Sequence, residues 1–271
     1  MTTSYEQNPS KQSALAALAC VERGSGVPVV LLHAFPVHRG LWAGAGDLLG
    51  PGIRLLTPDL PGFGQSGALT SSPSLDTYVD AVAALLDVAG IQQAVLGGVS
   101  MGGYVTLAFA RRHPGRLLGV ILADTKCSAD VPAAAANRRR IASVLLAEGS
   151  PRILLEESLP SLMGTTTKAE RPDVVALVHA MVAAVSPAAA AWAQLAMAER
   201  SDTTDVLREL TVPVAVIVGA EDAITPAGDA EAMVEAAADA TLTTIPRAGH
   251  LSAIEDPQAF AAAVRTFLAR L

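Results

Sequence analysis

The 271-residue sequence has only two cysteines, Cys20 and Cys127, and they lie far apart. This excludes a disulfide framework and paired zinc spacing, and it fits a reducing cytoplasm. No stretch reaches the roughly 18 consecutive apolar residues of a membrane span, although 51% of residues are hydrophobic and mean hydropathy is +0.40. Basic residues are also few: 19 Lys and Arg against 26 Asp and Glu give a net charge of −7, which argues against nucleic acid and anionic membranes as partners. His38 and His179 lack ligand-like spacing, so no metal or cofactor is expected.

Runs typical of strands and of helices alternate through most of the chain. Strands are predicted at residues 14–21, 28–33, 53–57, 93–99, 117–123, 213–219 and 241–246. Helices are predicted at residues 41–49, 75–89, 101–112, 227–238 and 256–271. This order predicts a doubly wound α/β domain with a mostly parallel sheet.

The alternation stops between residues 125 and 208, which hold no strand-like run. Prolines near first helical positions mark helix starts there, at Pro132, Pro151, Pro172 and Pro187. We therefore predict a helical cap over residues 125–208, inserted into a core of residues 15–124 and 209–271. The polar residues 1–14 are expected to form a flexible tail.

The most informative stretch is Gly-Gly-Val-Ser-Met-Gly-Gly, residues 97–103, between a strand-like and a helix-like run. A serine with Gly98 and Gly102 two residues to either side is typical of a nucleophile elbow, where only small neighbours fit the sharp turn. The turn also places Ser100 at a helix N-terminus, where unpaired N–H groups favour a developing negative charge. The stretch predicts acyl transfer at Ser100, and a tight turn without chemistry is the alternative.

Polar residues follow two later strands, at the edge where open parallel sheets bind ligands. Glu221 and Asp222 follow one strand, and His250 follows the next. A serine hydroxyl needs a base to accept its proton, and a carboxylate can orient and stabilise the imidazole. Ser100, a carboxylate of this pair and His250 therefore form a candidate catalytic triad.

Four segments resemble motifs of the α/β-hydrolase-fold serine hydrolases, and the resemblance spans residues 15–271. They are His33-Ala34-Phe35-Pro36, similar to the H-G-x-P oxyanion loop; residues 59–66, similar to D-x-x-G-x-G-x-S; the elbow; and the acid and base loops. Within this superfamily the chain looks most similar to bacterial 3-oxoadipate enol-lactonase-like, cofactor-free haloperoxidase-like and small-ester hydrolases. Ala34 stands where glycine is commoner, which would narrow the oxyanion loop.

The resemblance implies a role for each remaining site residue. The family's acid takes the loop position of Asp222, so Asp222 is preferred to Glu221 as the partner of the base. The backbone N–H groups of Phe35 and Met101 occupy the positions expected for the oxyanion hole. Asp124, where some relatives carry their acid, is expected only to cap the start of the inserted segment.

The inserted segment begins beside the elbow, so we expect it to cover Ser100 as a lid. We expect Phe35, Met101 and several residues of the inserted segment to line a mostly apolar pocket, with Phe35 and Trp192 as candidates for substrate binding. The arginine run at residues 138–140 is expected to be a solvated helix face. No basic residue stands out as a carboxylate anchor; those that could reach inward are Arg138, Arg152 and Arg171.

The expected activity is hydrolysis of a small, mostly apolar carboxylic ester or lactone through an acyl-enzyme on Ser100. Cofactor-free perhydrolase, haloperoxidase-like, biosynthetic thioesterase or C–C hydrolase activity on the same triad are alternatives. A non-catalytic ligand-binding protein on the same fold is the alternative of another class. The small-molecule substrate is the expected partner, and the oligomeric state is left open.

Overall fold

The structure, a computed structural model, describes residues 18–271, so the predicted tail over residues 1–14 lies outside the described residues. The strands of this part are β1 (Cys20–Gly24), β2 (Val27–Leu32), β3 (Ile53–Pro58), β4 (Ala94–Val99), β5 (Leu117–Ala123), β6 (Val214–Gly219) and β7 (Ala240–Ile245). They form one sheet in the order β1-β3-β2-β4-β5-β6-β7. Only the β1–β3 pair is antiparallel, which confirms the predicted mostly parallel sheet.

The central strands explain why the fold could be predicted from apolar runs. All six residues of β4 and of β6 are buried, as are six of the seven residues of β5. Strands of a parallel sheet are covered by helices on both faces, so their sequences are continuously apolar rather than alternating. Each central strand ends where a polar or glycine-rich loop begins, and these loops meet at one edge of the sheet.

The helices pack on both faces of the sheet. Those of the first half are α1 (Ala43–Asp47), α2 (Leu75–Val88) and α3 (Met101–Arg112). Between β5 and β6 lie α4 (Pro132–Glu148), α5 (Leu159–Leu162), α6 (Thr165–Glu170), α7 (Pro172–Ala183), α8 (Pro187–Ala198) and α9 (Thr204–Glu209), with a π-helical turn at Leu154–Ser158. The last are α10 (Ala227–Ala236), α11 (Ser252–Glu255) and α12 (Pro257–Leu268); short 3₁₀ turns lie at Arg39–Trp42 and Pro114–Arg116.

The first strand differs from its prediction over residues 14–21. It begins at Cys20 and pairs antiparallel with β3, from Cys20 opposite Pro58 to Gly24 opposite Arg54. An edge strand pairs through its backbone and exposes one side to solvent, so it can carry Glu22 and Arg23. The alanine-rich run before it suggested an earlier strand, but residues 18 and 19 are not in a strand and residues 14–17 lie outside the described residues.

Within residues 18–271, no single helix is long and apolar enough to cross a membrane. Helices α7 and α8 are long and apolar enough for this only when taken together, and the chain bends by 93° between them.

Candidate active site

Ser100 lies in a strained turn between β4 and α3. Its backbone dihedrals are φ 54° and ψ −112°, a region that costs a non-glycine residue roughly 1–3 kcal/mol. A Cβ on Gly98 would collide with the backbone of Gly102, and a Cβ on Gly102 would collide with the carbonyl oxygen of Leu32. Glycine is therefore required at both positions, because the start of α3 lies too close to the ends of β4 and β2 for any side chain.

The structure brings the Ser100 hydroxyl and the His250 imidazole into direct contact. Ser100 Oγ lies 2.7 Å from His250 Nε2, although the two residues are 150 positions apart in sequence. Both are buried, with exposed fractions of 8% and 1%. The hydroxyl can donate to Nε2 when the imidazole carries its proton on Nδ1.

Asp222 lies on the other side of the His250 ring. Its Oδ2 is 2.9 Å from His250 Nδ1 and accepts a hydrogen bond from the Thr225 hydroxyl at 2.7 Å. Its Oδ1 accepts from the Ile224 and Thr225 amides at 2.8 and 3.0 Å. Burial alone acts to raise the pKa of Asp222, but the hydrogen bond and charge of His250 outweigh it and lower the pKa below its usual value. An ionised Asp222 favours the Nδ1–H tautomer of His250.

Glu221, the rival acid, points away from His250. Its carboxylate accepts hydrogen bonds from the Thr165 hydroxyl at 2.9 Å and the Thr166 amide at 2.8 Å, both at the start of α6. The carboxylate also accepts a hydrogen bond from the Thr166 hydroxyl. Together these three bonds, chiefly the one from the Thr166 hydroxyl, lower the pKa of Glu221. Glu221 therefore ties the helices between β5 and β6 to the loop after β6.

Asp124 does not cap the start of the inserted segment, contrary to our expectation. It is fully buried and accepts hydrogen bonds from the Gly219 amide at 2.8 Å, the Ser252 amide at 3.0 Å and the Ser252 hydroxyl at 2.5 Å. Burial, together with the charge of Asp222, raises the pKa of Asp124 to about 7. Asp124 thus links the ends of β5 and β6 to the turn that follows His250.

The loop after β2 is supported by His33, whose role here is structural. Its ring is fully buried; Nε2 accepts a hydrogen bond from the Leu60 amide at 2.9 Å, and Nδ1 lies 2.9 Å from the Ala34 carbonyl oxygen. Burial lowers the pKa of His33 to about 4, so the ring is neutral near pH 7. Among residues 18–271, the amides of Phe35 and Met101 have no hydrogen-bond partner, which leaves both free to donate.

A cavity of about 280 Å³ opens directly over Ser100 and His250. Phe35 and Tyr104 lie on its sheet side, and α4, α8 and the segment before Met163 supply the opposite wall. Larger cavities occur elsewhere, including one of about 390 Å³ beside Arg39 and Asp59, but Ser100 and His250 do not line it. The 280 Å³ cavity is therefore the one that a reacting carbonyl would enter.

Two sequence-based expectations about pocket residues fail. Trp192 does not line this cavity: its indole N–H donates to the Ser71 carbonyl at 2.8 Å, and its ring packs edge-on against Tyr78 with centroids 5.1 Å apart. The Met101 side chain is fully buried and does not line the cavity either. Trp192 instead joins α8 to the loop before α2, because its ring needs an apolar contact and its N–H an acceptor.

Arg138 is not part of the expected solvated helix face, and of the three basic residues named as able to reach inward it is the one that lines this cavity. It lines the cavity, and its Nε donates to Asp130 Oδ2 at 2.5 Å. Its neighbours Arg139 and Arg140 are about half exposed and pair with Glu199 and Glu157. Gln194, which is buried and lines the cavity, and Asp130, whose side chain is 2% exposed, were not singled out from the sequence.

No group of three or more His, Cys, Asp or Glu side chains in the described part of the chain is arranged to hold a metal ion. The polar groups at the cavity floor are instead paired as a hydroxyl, an imidazole and a carboxylate, an arrangement suited to proton transfer.

A model of the α/β hydrolase fold family matches residues 27–257. The chain therefore belongs to the α/β-hydrolase fold family, as its sheet and its loops indicate.

Its relatives include esterases and a lactonase. It is 30% identical to a pimeloyl-[acyl-carrier protein] methyl ester esterase of Chromobacterium violaceum, covering 90% of this chain and 95% of that protein. It is also 30% identical to 3-oxoadipate enol-lactonase 2 of Acinetobacter baylyi, over 78% of this chain and 77% of the other. Among solved structures, a thermophilic esterase from Thermogutta terrifontis, studied with malate bound, superimposes with a TM-score of 0.90 at 39% identity, covering 93% of both chains.

Proposed function

We propose that this protein hydrolyses a small carboxylic ester or lactone through an acyl-enzyme formed on Ser100. The observation that carries the proposal is the continuous contact from Ser100 Oγ to His250 Nε2 and from His250 Nδ1 to Asp222 Oδ2, at 2.7 and 2.9 Å. A hydroxyl in contact with a buried base whose other nitrogen faces a carboxylate is an activated nucleophile. The esterase and lactonase relatives support the same class of reaction.

The proposed reaction has two steps that use the same groups. Ser100 Oγ attacks the carbonyl carbon while its proton passes to His250 Nε2, and Asp222 stabilises the imidazolium that forms. The amides of Phe35 and Met101 donate to the oxyanion, and His250 returns the proton to the departing alkoxide. Water then loses a proton to His250 and attacks the acyl-enzyme, which releases the carboxylic acid and restores Ser100.

A fluorophosphonate probe tests the proposal, because it reacts only with an activated serine. We expect the adduct on the peptide that contains Ser100, together with turnover of p-nitrophenyl esters. Parallel assays with acyl thioesters, and with hydrogen peroxide as the acceptor, compare the proposed hydrolase with a thioesterase and a perhydrolase. A protein that neither labels at Ser100 nor turns over any of these substrates would be a binding protein on this fold.

The helices between β5 and β6 are proposed to act as a lid that sets acyl-chain length. Ile141 of α4 lines the cavity and is 5% exposed, so Ile141→Ala would lengthen the space above Ser100. We expect the octanoate-to-acetate ratio of kcat/KM to rise roughly 10-fold, since each methylene in such a pocket contributes about 1–3 kcal/mol.

The matched control is Leu146→Ala on the same helix, because Leu146 is 60% exposed. The comparison uses p-nitrophenyl esters of even-numbered acids, with thermal unfolding of each variant. An unchanged ratio in a folded Ile141→Ala variant would contradict the proposed lid.

A further inference from the structure

The guanidinium of Arg138 is hydrogen-bonded through two of its nitrogens and has no partner at the third within the part of the chain that the structure describes. Its Nε donates to Asp130 at 2.5 Å, and its Nη1 donates to Gln194 Oε1 at 3.1 Å. Its Nη2 has no hydrogen-bond partner among residues 18–271, and it is not one of the fully buried nitrogens without a partner. Since the side chain lines the cavity and is 21% exposed, Nη2 remains accessible to a molecule there.

The carboxylate behind Arg138 is shared by three cations. The Asp130 side chain is 2% exposed and pairs with three cations: Arg138, Arg200 at 2.8 Å and Lys126 at 3.4 Å. Asp229 is affected by the charges of Lys126, Asp222 and Arg200, and among residues 18–271 it forms no ion pair within 4 Å. Because Asp130 is shared by three cations, it does not fully neutralise the Arg138 guanidinium.

Among residues 18–271, no other charged side chain at the cavity pairs with Arg138. Glu157 also lines the cavity, but its carboxylate is paired with Arg140, and both side chains are about half exposed to solvent. Tyr104, stacked under the Arg200 guanidinium at 4.0 Å, has a hydroxyl without a hydrogen-bond partner among residues 18–271. Burial raises the pKa of Tyr104, so its hydroxyl stays neutral and can donate.

We propose that Arg138 forms a carboxylate-binding subsite in this cavity, and that the preferred substrate is an ester or lactone that carries a second, free carboxylate. A guanidinium pre-oriented by Asp130 and Gln194 loses little side-chain freedom when it binds an anion, and arginine suits carboxylates geometrically. The apolar wall, including Ile141 and Leu162, would hold the chain between the carboxylate and the reacting carbonyl. This inference rests on the proposed attack by Ser100, because the subsite is defined relative to that carbonyl.

The experiment compares pairs of substrates that differ only in charge. One arm uses monomethyl esters of straight-chain dicarboxylic acids from succinate to pimelate, each against its neutral terminal amide. A second arm places the charge on the alcohol, with acetyl esters of ω-hydroxy acids against their amides. The wild-type protein is expected to favour the charged member in at least one arm, roughly 10- to 100-fold in kcat/KM, as for a hydrogen bond between charged groups.

Variants then assign the preference to Arg138. Arg138→Gln should lower the charged-to-neutral ratio roughly 10- to 100-fold, and Arg138→Lys should retain part of it. Asp130 keeps Arg200 and Lys126 as partners in both variants, so no buried carboxylate is left unpaired. The control is Arg139→Gln, at the next position, where the side chain is half exposed and pairs with Glu199.

The outcomes separate this inference from the proposed function. Ester turnover and Ser100 labelling with a charged-to-neutral ratio near one in both arms would overturn the subsite and leave the hydrolase standing. A ratio that is unchanged in Arg138→Gln, or equally lowered in Arg139→Gln, would also overturn it. Absence of labelling and turnover would instead remove the proposed function on which the subsite depends.

Discussion

Replacing Ser100 with alanine is expected to lower kcat for p-nitrophenyl esters by a factor of ~10⁴ or more and to remove fluorophosphonate labelling. The loss is this large because Ser100, His250 and Asp222 act as one unit: without Oγ, His250 Nε2 has no hydroxyl to deprotonate. Residual hydrolysis would come only from substrate binding and the oxyanion donors. Initial rates and intact-protein mass after labelling measure both effects.

A matched control is Ser143→Ala on α4, whose hydroxyl donates to the Arg139 carbonyl at 3.0 Å on an exposed surface. Labelling that survives in Ser100→Ala would mean that another residue is the nucleophile.

Thermal unfolding adds an independent readout at the same position. Ser100→Gly should be as inactive as Ser100→Ala, but it should be more stable by about 1 kcal/mol, since glycine adopts φ 54° without strain. Two inactive variants with this order of stability would show that the turn stores strain for its geometry.

The parts of the fold that could be predicted are those bounded by strong breakers or built from continuous apolar runs. The predicted bounds of β5 and α3 match the structure residue for residue, because β5 is an apolar run and α3 lies between the elbow and Pro114. The first strand could not be placed in the same way. It is an edge strand whose partners lie on β3, so its position depends on pairing rather than on its own hydrophobicity.

The choice between Glu221 and Asp222 was made from a resemblance of loop position, because adjacent carboxylates are chemically equivalent in a sequence. The two side chains point in different directions only because of the way the turn folds. The Ile224 and Thr225 amides close the turn onto Asp222, and the Glu221 side chain is left facing Thr166. The partners of Asp124 lie 95 and 128 residues away, so no local pattern could reveal them.

The position of Arg138 could have been found from helical periodicity. The buried residues of α4 include Ala135, Ala142 and Leu145, and Arg138 falls on the same stripe at spacings of three, four and seven. Arg139 and Arg140 are rotated away by successive steps of about 100°. Grouping the three arginines as one charged run hid this difference, because adjacent helical residues do not share a face.

The second large effect is expected at Asp222, where Asp222→Asn should lower kcat by about 10³- to 10⁴-fold. The asparagine keeps the size of the side chain, but it cannot stabilise the imidazolium and it can favour the tautomer with the proton on Nε2. In that tautomer His250 no longer accepts the Ser100 proton. Steady-state kinetics across neutral pH, with circular dichroism to verify folding, measure the loss.

Two neighbouring substitutions test whether Asp222 is the acid rather than one carboxylate among several. Glu221→Gln should change kcat less than about 3-fold, because Glu221 contacts α6 and not His250. Asp124→Asn should mainly cost stability, about 1–3 kcal/mol, since its amide nitrogen would face one of the N–H donors from Gly219 or Ser252. If Asp124→Asn instead lost as much activity as Asp222→Asn while remaining folded, the carboxylate that supports His250 would be Asp124. The 2.9 Å contact between Asp222 and His250 Nδ1 argues for the opposite order.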